Sequence, residues 1–398
     1  MELTLGAADL VFREEARAFL DTHLSEDMRD EARRGVGVWS NIGLAVRWQK
    51  ILHANGRAAP AWPVEHGGCD WTVAQHYIWE LECAAAGAPR IPAMGLRMCG
   101  PVLMAFGTAA QKARFLPPML SADEIWCQGY SEPQAGSDLA SLQCKAERRG
   151  DRYLINGTKI WTTYAQHADW MFCLVRTAAT PRPQEGISFL LIPMHSPGLT
   201  VAPILTLAGE HEVNQVFFDD VEAPVELRVG EENAGWSIAK FLLQHERGGA
   251  FAAGLRRKLQ DLKAIARCEP EQGGALIEEP GFALRLAALE IEIAAVELTE
   301  RRLIAALSTG RPAGALPSML KLAGTETSQR IDQMLIEAIG PYAAADYLAV
   351  REGRANWSPG PAHAVTPMGL YLNNRAATIY GGSSEVQRNI ISRVHLNL

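Results

Sequence analysis

The chain has 398 residues, with 38 Lys and Arg against 45 Asp and Glu for a formal net charge of −7; 48% of it is hydrophobic and 21% charged. That is an ordinary globular composition with material for a large core, and the length prior is about two or three domains. The charge is spread along the chain without a basic tract, which argues against nucleic acid and anionic membrane as principal partners.

No run approaches the ~18 apolar residues of a membrane span, and the start MELTLGAADLVFREE lacks the basic and apolar regions of a leader. The seven Cys are scattered without C-x-x-C spacing, which points to buried thiols in a reduced cytoplasm. No His, Cys and carboxylate cluster has metal spacing, so no metal is expected.

Residues 1–120 read as helical. Phe12, Ala16, Phe19, Leu20 and His23 form an amphipathic stripe, and helices are predicted again over Gln75–Gly87, Val102–Phe106 and Gln111–Leu116. The Gly-, Pro- and Trp-rich stretch Gly56–Trp71 between them reads as a surface connection, and Pro89–Pro101 as a break.

From about residue 121 the hydrophobic period changes to 2. In Cys127–Asp138 (CQGYSEPQAGSD), an aromatic run leads through Ser-Glu-Pro to a small-residue bend closed by Asp138. Pro fixes φ and Gly permits positive φ, so this is a shaped loop with exposed N–H groups and hydroxyls. It suits a flat ring against the backbone and a phosphate against the hydroxyls, although plain turns share its composition. Asp151–Thr163 (DRYLINGTKIWTT) reads as two short β runs around an Asn156-Gly157 hairpin turn, bringing Trp161, Thr162 and Thr163 to a strand end. Further strands are predicted at Trp170–Val175, Ile187–Ile192, Leu199–Ala202 and Gln215–Phe218, giving a β barrel or sandwich.

Helix returns near Gly230, over Asn233–Leu243, Phe282–Leu307, Ser318–Ile339, Pro367–Tyr380 and Glu385–Val394. The expected fold class is α+β with segregated parts: an N-terminal α domain (1–120), a middle β domain (121–230) and a C-terminal helical domain (231–398). In the tail, Gly381-Gly382-Ser383-Ser384-Glu385 separates two helical runs, and Ser384 with Gln387 has the pattern of a capping box. The helix starting there presents free N–H groups and its positive dipole end. A ligand-free helix corner would read the same way.

With these residues in view, the chain resembles the acyl-CoA dehydrogenase family. The family signature, roughly Y-x-x-(S/T)-E-P-x-x-G-S-D and then N-G-x-K-x-W-(I/T)-(S/T), is matched by Gln128–Asp138 and Asn156–Thr163. With the tail Ile379–Arg393 the resemblance runs from about residue 5 to the C-terminus. It implies an α, β, α arrangement ending in a four-helix bundle, FAD as cofactor, an acyl-CoA substrate oxidised to the trans-2-enoyl-CoA, and an electron-transfer flavoprotein as acceptor. FAD contacts carry over to Gln128, Ser131, Ser137, Trp161, Thr163, Gly382, Ser383 and Glu385, with Ser137 also reaching the CoA arm.

The implied chemistry removes a proton α to the thioester and a hydride from the β carbon. The site must therefore polarise the carbonyl and supply a base whose pKa rises when the substrate expels water. Many family members carry that base as a Glu immediately before the Gly-(S/T) turn. Here that position is Gly381, which can offer only its N–H to the thioester carbonyl.

The family's second location for the base lies on the first long helix of the C-terminal domain, where this chain has Gln244-His245-Glu246-Arg247. A Glu beside an Arg on a helix is ordinarily a solvated face. The resemblance makes Glu246 the expected base, with His245 as a weaker alternative. The two are helix neighbours about 100° apart and cannot both face one ring. Gln244, Arg247 and Arg393 are expected substrate or CoA contacts.

In homotetrameric relatives an Arg and a Gln of a neighbouring subunit complete each FAD site. Helix alignment puts Glu269 and Glu337 at those positions, negative charge where a diphosphate would lie; two like charges ~4 Å apart repel by about 4 kcal/mol at an effective dielectric of ~20. The expectation is a hetero-oligomer with a related subunit that supplies the missing Arg and Gln. The tail and the helix carrying Glu246 resemble the large subunits of pimeloyl-CoA and sterol side-chain acyl-CoA dehydrogenases. A homodimer or homotetramer with another diphosphate contact is the alternative. The rival functions are a flavin oxidase or monooxygenase of the same fold and a scaffold subunit of a heteromeric dehydrogenase.

Overall fold

The structure, a computed structural model, describes residues 6–246, 251–271 and 273–398, without the side chains of 244–246. The N-terminal part is helical: α1 (Ala7–His23), α2 (Glu26–Arg34), α3 (Ile42–Ala54), α4 (Val73–Ala86), α5 (Gly100–Phe106) and α6 (Ala109–Leu120). The predicted stripe of α1 is the buried one: Phe12, Ala16, Phe19 and Leu20 join Leu44, Trp48, Ile78 and Trp79 of α3 and α4 in one apolar core. One expectation fails here. Met94–Cys99, inside the predicted break, is a π-helical turn running into α5, because Pro101 sits in the first turn of α5, where no N–H is required. The Gly56–Trp71 stretch runs largely over the surface and is anchored at Trp62, which is buried and whose indole N–H donates to Leu96 O at 2.7 Å. A Cβ on Gly68 would lie 1.6 Å from Trp62 O, so only glycine passes there.

The middle strands are β1 (Trp126–Gly129), β2 (Lys145–Arg149), β3 (Arg152–Thr163), β4 (Trp170–Arg176), β5 (Ile187–Pro193), β6 (Leu199–Ile204), β7 (Val213–Pro224) and β8 (Arg228–Val229). They run in the order β6-β7-β3-β2-β4-β5-β8, with β1 parallel to β4 as a branch. β2 joins β4 through the single pair Lys145–Arg176, so the sheet bends there and its two halves face each other. Met171, Cys173 and Val175 of β4 pack inward with Ile155, Val216 and Val221, while Phe172 and Leu174 point outward into a core shared with α5 and α6. Both faces of β4 and β5 are covered, which is why they read as unbroken hydrophobic runs.

The Asn156-Gly157 hairpin is a misreading. β3 runs unbroken through both residues, and the turn lies at Gly150-Asp151 between β2 and β3. Asn156-Gly157 is instead a register shift against β7. Gly157 has φ 144°, and a Cβ there would meet Cys144 Cα at 2.7 Å. The glycine answers a close backbone approach, not a turn.

The C-terminal part holds α7 (Gly235–Glu246), α8 (Phe251–Cys268), the short strands β9 (Pro270–Glu271) and β10 (Gly274–Ala275), α9 (Pro280–Ser308), α10 (Leu316–Ile339), α11 (Leu348–Arg351), α12 (Pro367–Asn374) and α13 (Ser384–Ile391). α8, α9 and α10 bury one core from Leu255, Leu262, Leu286, Leu289, Ile293, Val296, Ile331 and Leu335, and α10 also packs on α12 and α13. The predicted helix Pro367–Tyr380 stops at Asn374 and continues as a 3-10 turn over Arg375–Thr378. Among the described residues no helix is long and apolar enough to cross a membrane.

Candidate active site

The Ser-Glu-Pro loop leaves β1 at Gly129 and is fixed from inside. Glu132 is buried; its Oε1 accepts from Lys159 Nζ at 2.7 Å and Cys144 N at 2.9 Å, and its Oε2 from Gln143 N at 2.6 Å. Lys159 also donates to Tyr130 O at 3.2 Å. Burial works to lower the Lys159 pKa, but Cys173, Cys144 and Glu132 around it outweigh that and the net direction is up. Ile160 N donates to Ser131 O at 2.9 Å, tying the loop to β3. Held this way, Gln128 and Ser131 stay half-buried, while Gly136 and Ser137 stand open to solvent. A Cβ on Gly136 would meet nothing within 4 Å.

At the end of β3 the register shifts between Lys159 and Thr162, and Trp161 takes φ 60°. The bulge turns its ring outward, where it is 60% exposed, an unusual position for so large an apolar group. Thr163 is half-buried, and the buried Thr162 Oγ1 has no hydrogen-bond partner among the described residues. Tyr164 follows at φ 59°, its N–H on Glu212 O at 3.0 Å and its hydroxyl on Ser40 O at 2.6 Å.

The tail turn sits on α10. Gly381 and Gly382 have φ 63° and 88°, a conformation that favours glycine. Lys321 Nζ holds the carbonyls of Ala377 (3.0 Å) and Gly382 (2.8 Å), and Gln387 Nε2 those of Gly381 (3.3 Å) and Gly382 (3.2 Å). The carbonyls are thus taken, while the Gly381 N–H donates no hydrogen bond among the described residues. The capping box on Ser384 is corrected. Ser383 has the extended dihedrals of an N-cap and accepts from Val386 N at 3.4 Å, because the left-handed Gly382 turns the chain one residue earlier. Ser384 Oγ and Gln387 Oε1 are buried without a partner among the described residues. Glu385 is on the first turn of α13, its pKa lowered by its backbone N–H and by Ser383.

Glu212 brings strand end and tail together. Its buried carboxylate accepts from Val38 N at 2.7 Å, Trp39 N at 3.3 Å and Asn373 Nδ2 at 3.1 Å, while its carbonyl holds Tyr164. Segments before α3 and from α12 therefore meet at the Glu212 carboxylate, and the segment after β3 at its backbone carbonyl. Tyr380, next to Gly381, has its pKa pushed up to about 12 by burial and by the charge of Glu212.

The expected base and two of its neighbours fall outside what the structure describes. α7 is described as far as Glu246, but the side chains of Gln244, His245 and Glu246, and all of Arg247, lie outside the described residues. Arg393 lies on the exposed π-helical turn Ser392–Leu396 and forms no hydrogen bond or ion pair among the described residues. Glu269 is bound to His363 Nε2 at 2.5 Å and Glu337 to Arg285 Nη1 at 2.5 Å, so each of these carboxylates has a counterpart in its own chain. Sequence reading missed Glu212 and Lys321; each is a lone charged residue whose role exists only where distant segments meet. Lys159 and Glu132 stood inside the matched motifs, and only their burial separates them from the ligand-facing positions.

These residues fit a flavin. An exposed aromatic ring, a half-buried hydroxyl, a free N–H at a left-handed glycine turn and orphaned buried polar atoms at Thr162, Ser384 and Gln387 are what a polar-edged flat ring would satisfy. Among the described residues no group of three or more His, Cys, Asp and Glu could hold a metal ion.

The chain matches the N-terminal, middle and C-terminal domain models of acyl-CoA dehydrogenases over residues 7–123, 127–221 and 233–396. It is 36% identical to the acyl-CoA dehydrogenase IpdE1 of Mycobacterium tuberculosis over 359 residues, 88% of this chain and 87% of that protein. It is 33% identical to the acyl-CoA dehydrogenase FadE26 of the same organism over 398 residues, covering 97% of each. Among solved structures it is similar to the Tcur3481-Tcur3483 steroid ACAD (TM-score 0.85, 31% identity, 100% and 99% of the two chains). It is also similar to the ChsE4-ChsE5 complex from Mycobacterium tuberculosis (TM-score 0.83, 31% identity, 100% and 99%). The matches run along nearly the whole chain, and the protein belongs to the acyl-CoA dehydrogenase family.

Proposed function

We propose that the chain is an FAD-dependent dehydrogenase that oxidises an acyl-CoA thioester to the trans-2-enoyl-CoA and passes the electrons to an electron-transfer flavoprotein. The observation that carries this reading is the convergence at Glu212 of Tyr164, just past the end of β3, and Asn373 of α12, the helix that leads into the Gly381-Gly382 turn. Gln128, Ser131, Trp161 and Thr163 would hold the cofactor from one side and Gly382, Ser383 and Glu385 from the other, with Ser137 toward the CoA arm. When bound, FAD supplies the hydride acceptor. The free Gly381 N–H would donate to the thioester oxygen and so acidify the α-proton. With no carboxylate at Gly381, the base is assigned to Glu246, and Gln244, Arg247 and Arg393 to substrate contacts. The domain division 1–120, 121–230 and 231–398 belongs to the same proposal.

We infer a hetero-oligomer as the working form, with a related subunit supplying the Arg and Gln replaced here by Glu269 and Glu337. The likeness to a chain of the two-component ChsE4-ChsE5 complex supports it. The test is anaerobic mixing of the flavin-loaded protein with acyl-CoA thioesters. Bleaching of the flavin band with formation of an enoyl thioester is expected; binding without bleaching for every thioester would overturn the proposal.

A further inference from the structure

A polar wall stands beside Tyr164, at the strand end of the site. Arg90 is locked against the segment before α3: its N–H donates to Ser40 Oγ at 2.8 Å and its carbonyl accepts from Ser40 N at 3.1 Å. One guanidinium nitrogen donates to Gly37 O at 2.6 Å. Arginine carries five N–H donors, and Arg90 has no ion-pair partner within 4 Å among the described residues. The nearest carboxylate by charge is Glu212, which is already taken by Val38, Trp39 and Asn373.

Arg90 is exposed although it is tied to Gly37 and Ser40, and Ser40 O also takes the Tyr164 hydroxyl at 2.6 Å, so the guanidinium stands open beside the strand end of the site. Tyr380, next to Gly381, is 45% exposed as well. The wall continues through hydrogen bonds. Asn373 binds Glu212, and its neighbour Asn374 donates to Ser328 Oγ at 3.0 Å and to Asp332. Asp332 and Ser328 in turn receive Lys258 Nζ at 2.7 Å and 2.9 Å. On α8, Lys258 stands about two turns, or ~10 Å, beyond Phe251 at the start of the helix.

An acyl pocket for a plain hydrocarbon chain is best lined with apolar side chains. Covering an arginine that has spare donors with a methyl-ended chain would strip its water and return nothing. We propose that Arg90 is a specificity-determining residue and that the acyl group carries an oxygen acceptor, a carboxylate or a carbonyl, which docks on its guanidinium. This rests on the chain being an acyl-CoA dehydrogenase.

The test compares three CoA thioesters of one chain length, ending in a methyl group, a methyl ketone or a carboxylate, on the flavin-loaded enzyme in its native assembly. The expected result is a kcat/KM at least ~10-fold higher for one oxygen-bearing thioester, and which one wins tells carbonyl from carboxylate. R90Q and R90M should collapse that ratio to within about twofold, with R90K retaining part of it only if the winner is the carboxylate. The exposed control Arg152→Gln should leave the ratio unchanged. Preference of the wild type for the methyl-ended thioester would overturn the proposal, as would an equal loss on all three in R90Q, which marks Arg90 as a mere anchor of residues 37–40. Calorimetric binding of the same thioesters gives the same comparison without turnover. Binding preference without turnover would leave the Arg90 assignment standing and remove the dehydrogenase reading.

Discussion

The Lys159 ammonium lies 2.7 Å from Glu132 Oε1, with the two side chains 0% and 2% exposed. The same carboxylate takes backbone N–H groups from Gln143 and Cys144, so one buried ion pair clamps the loop after β1 onto β2 and β3. A buried pair gains little over an apolar one, but half a pair leaves an uncompensated charge. Lys159→Met should cost about 3–5 kcal/mol of unfolding free energy in urea, and Glu132→Gln added to it should recover part of that loss. A cost below about 1 kcal/mol for Lys159→Met would mean that the loop is held by its backbone bonds alone.

Glu246→Gln keeps the side chain's size and removes its basicity. If Glu246 takes the α-proton, kcat should fall by about 10²–10⁴-fold while flavin content stays at the wild-type value. Single-turnover flavin bleaching under anaerobic conditions reads this step apart from electron transfer. Wild-type bleaching in the variant would exclude Glu246 as base.

Tyr380 gives a pH-dependent expectation. Its pKa in the fold is about 12, above the usual value of 10.0, through burial and the Glu212 charge. The unfolded chain therefore releases the phenol proton first, and stability falls as pH rises from about 10 to about 12. The contribution is complete below about pH 10. Tyr380→Phe should flatten this alkaline decline relative to wild type in urea unfolding between pH 9 and 11.5. Parallel curves for the two proteins would show that Tyr380 titrates as a free phenol.

Much of this architecture is legible in the sequence because it is periodic. The buried stripe of α1 and the Leu286–Val296 face of α9 are repeats that one element sets alone. Asn156-Gly157 misleads because the same dipeptide serves a tight turn and a bulge, and only Cys144 across the sheet decides between them. The shift of the cap from Ser384 to Ser383 follows from the two left-handed glycines, whose φ a sequence permits but does not dictate. The site motifs announce themselves as an unusual loop and a Gly-Gly corner. The groups that join them do not: Glu212, Arg90 and Lys321 each act through segments far apart in the chain.

The oligomeric proposal turns on two carboxylates. Glu337 is engaged by Arg285 and also receives Gln333 Nε2 at 3.3 Å, and Glu269 is engaged by His363, so both carboxylates are held within their own chain, and as anions neither can bind a second subunit's diphosphate. Replacement of either partner would release a negative charge rather than create a binding site. The chain expressed alone should accordingly hold well under one FAD per polypeptide, and co-expression with a related acyl-CoA dehydrogenase subunit should raise this to about one FAD per heterodimer. Visible absorbance against protein concentration gives the first figure, and native mass measurement gives the second. One FAD per chain in a homo-oligomer with full activity would place Glu269 and Glu337 away from the cofactor and remove the need for a partner. Apoprotein alone and flavin only in the mixed complex would assign the diphosphate contacts to the second subunit.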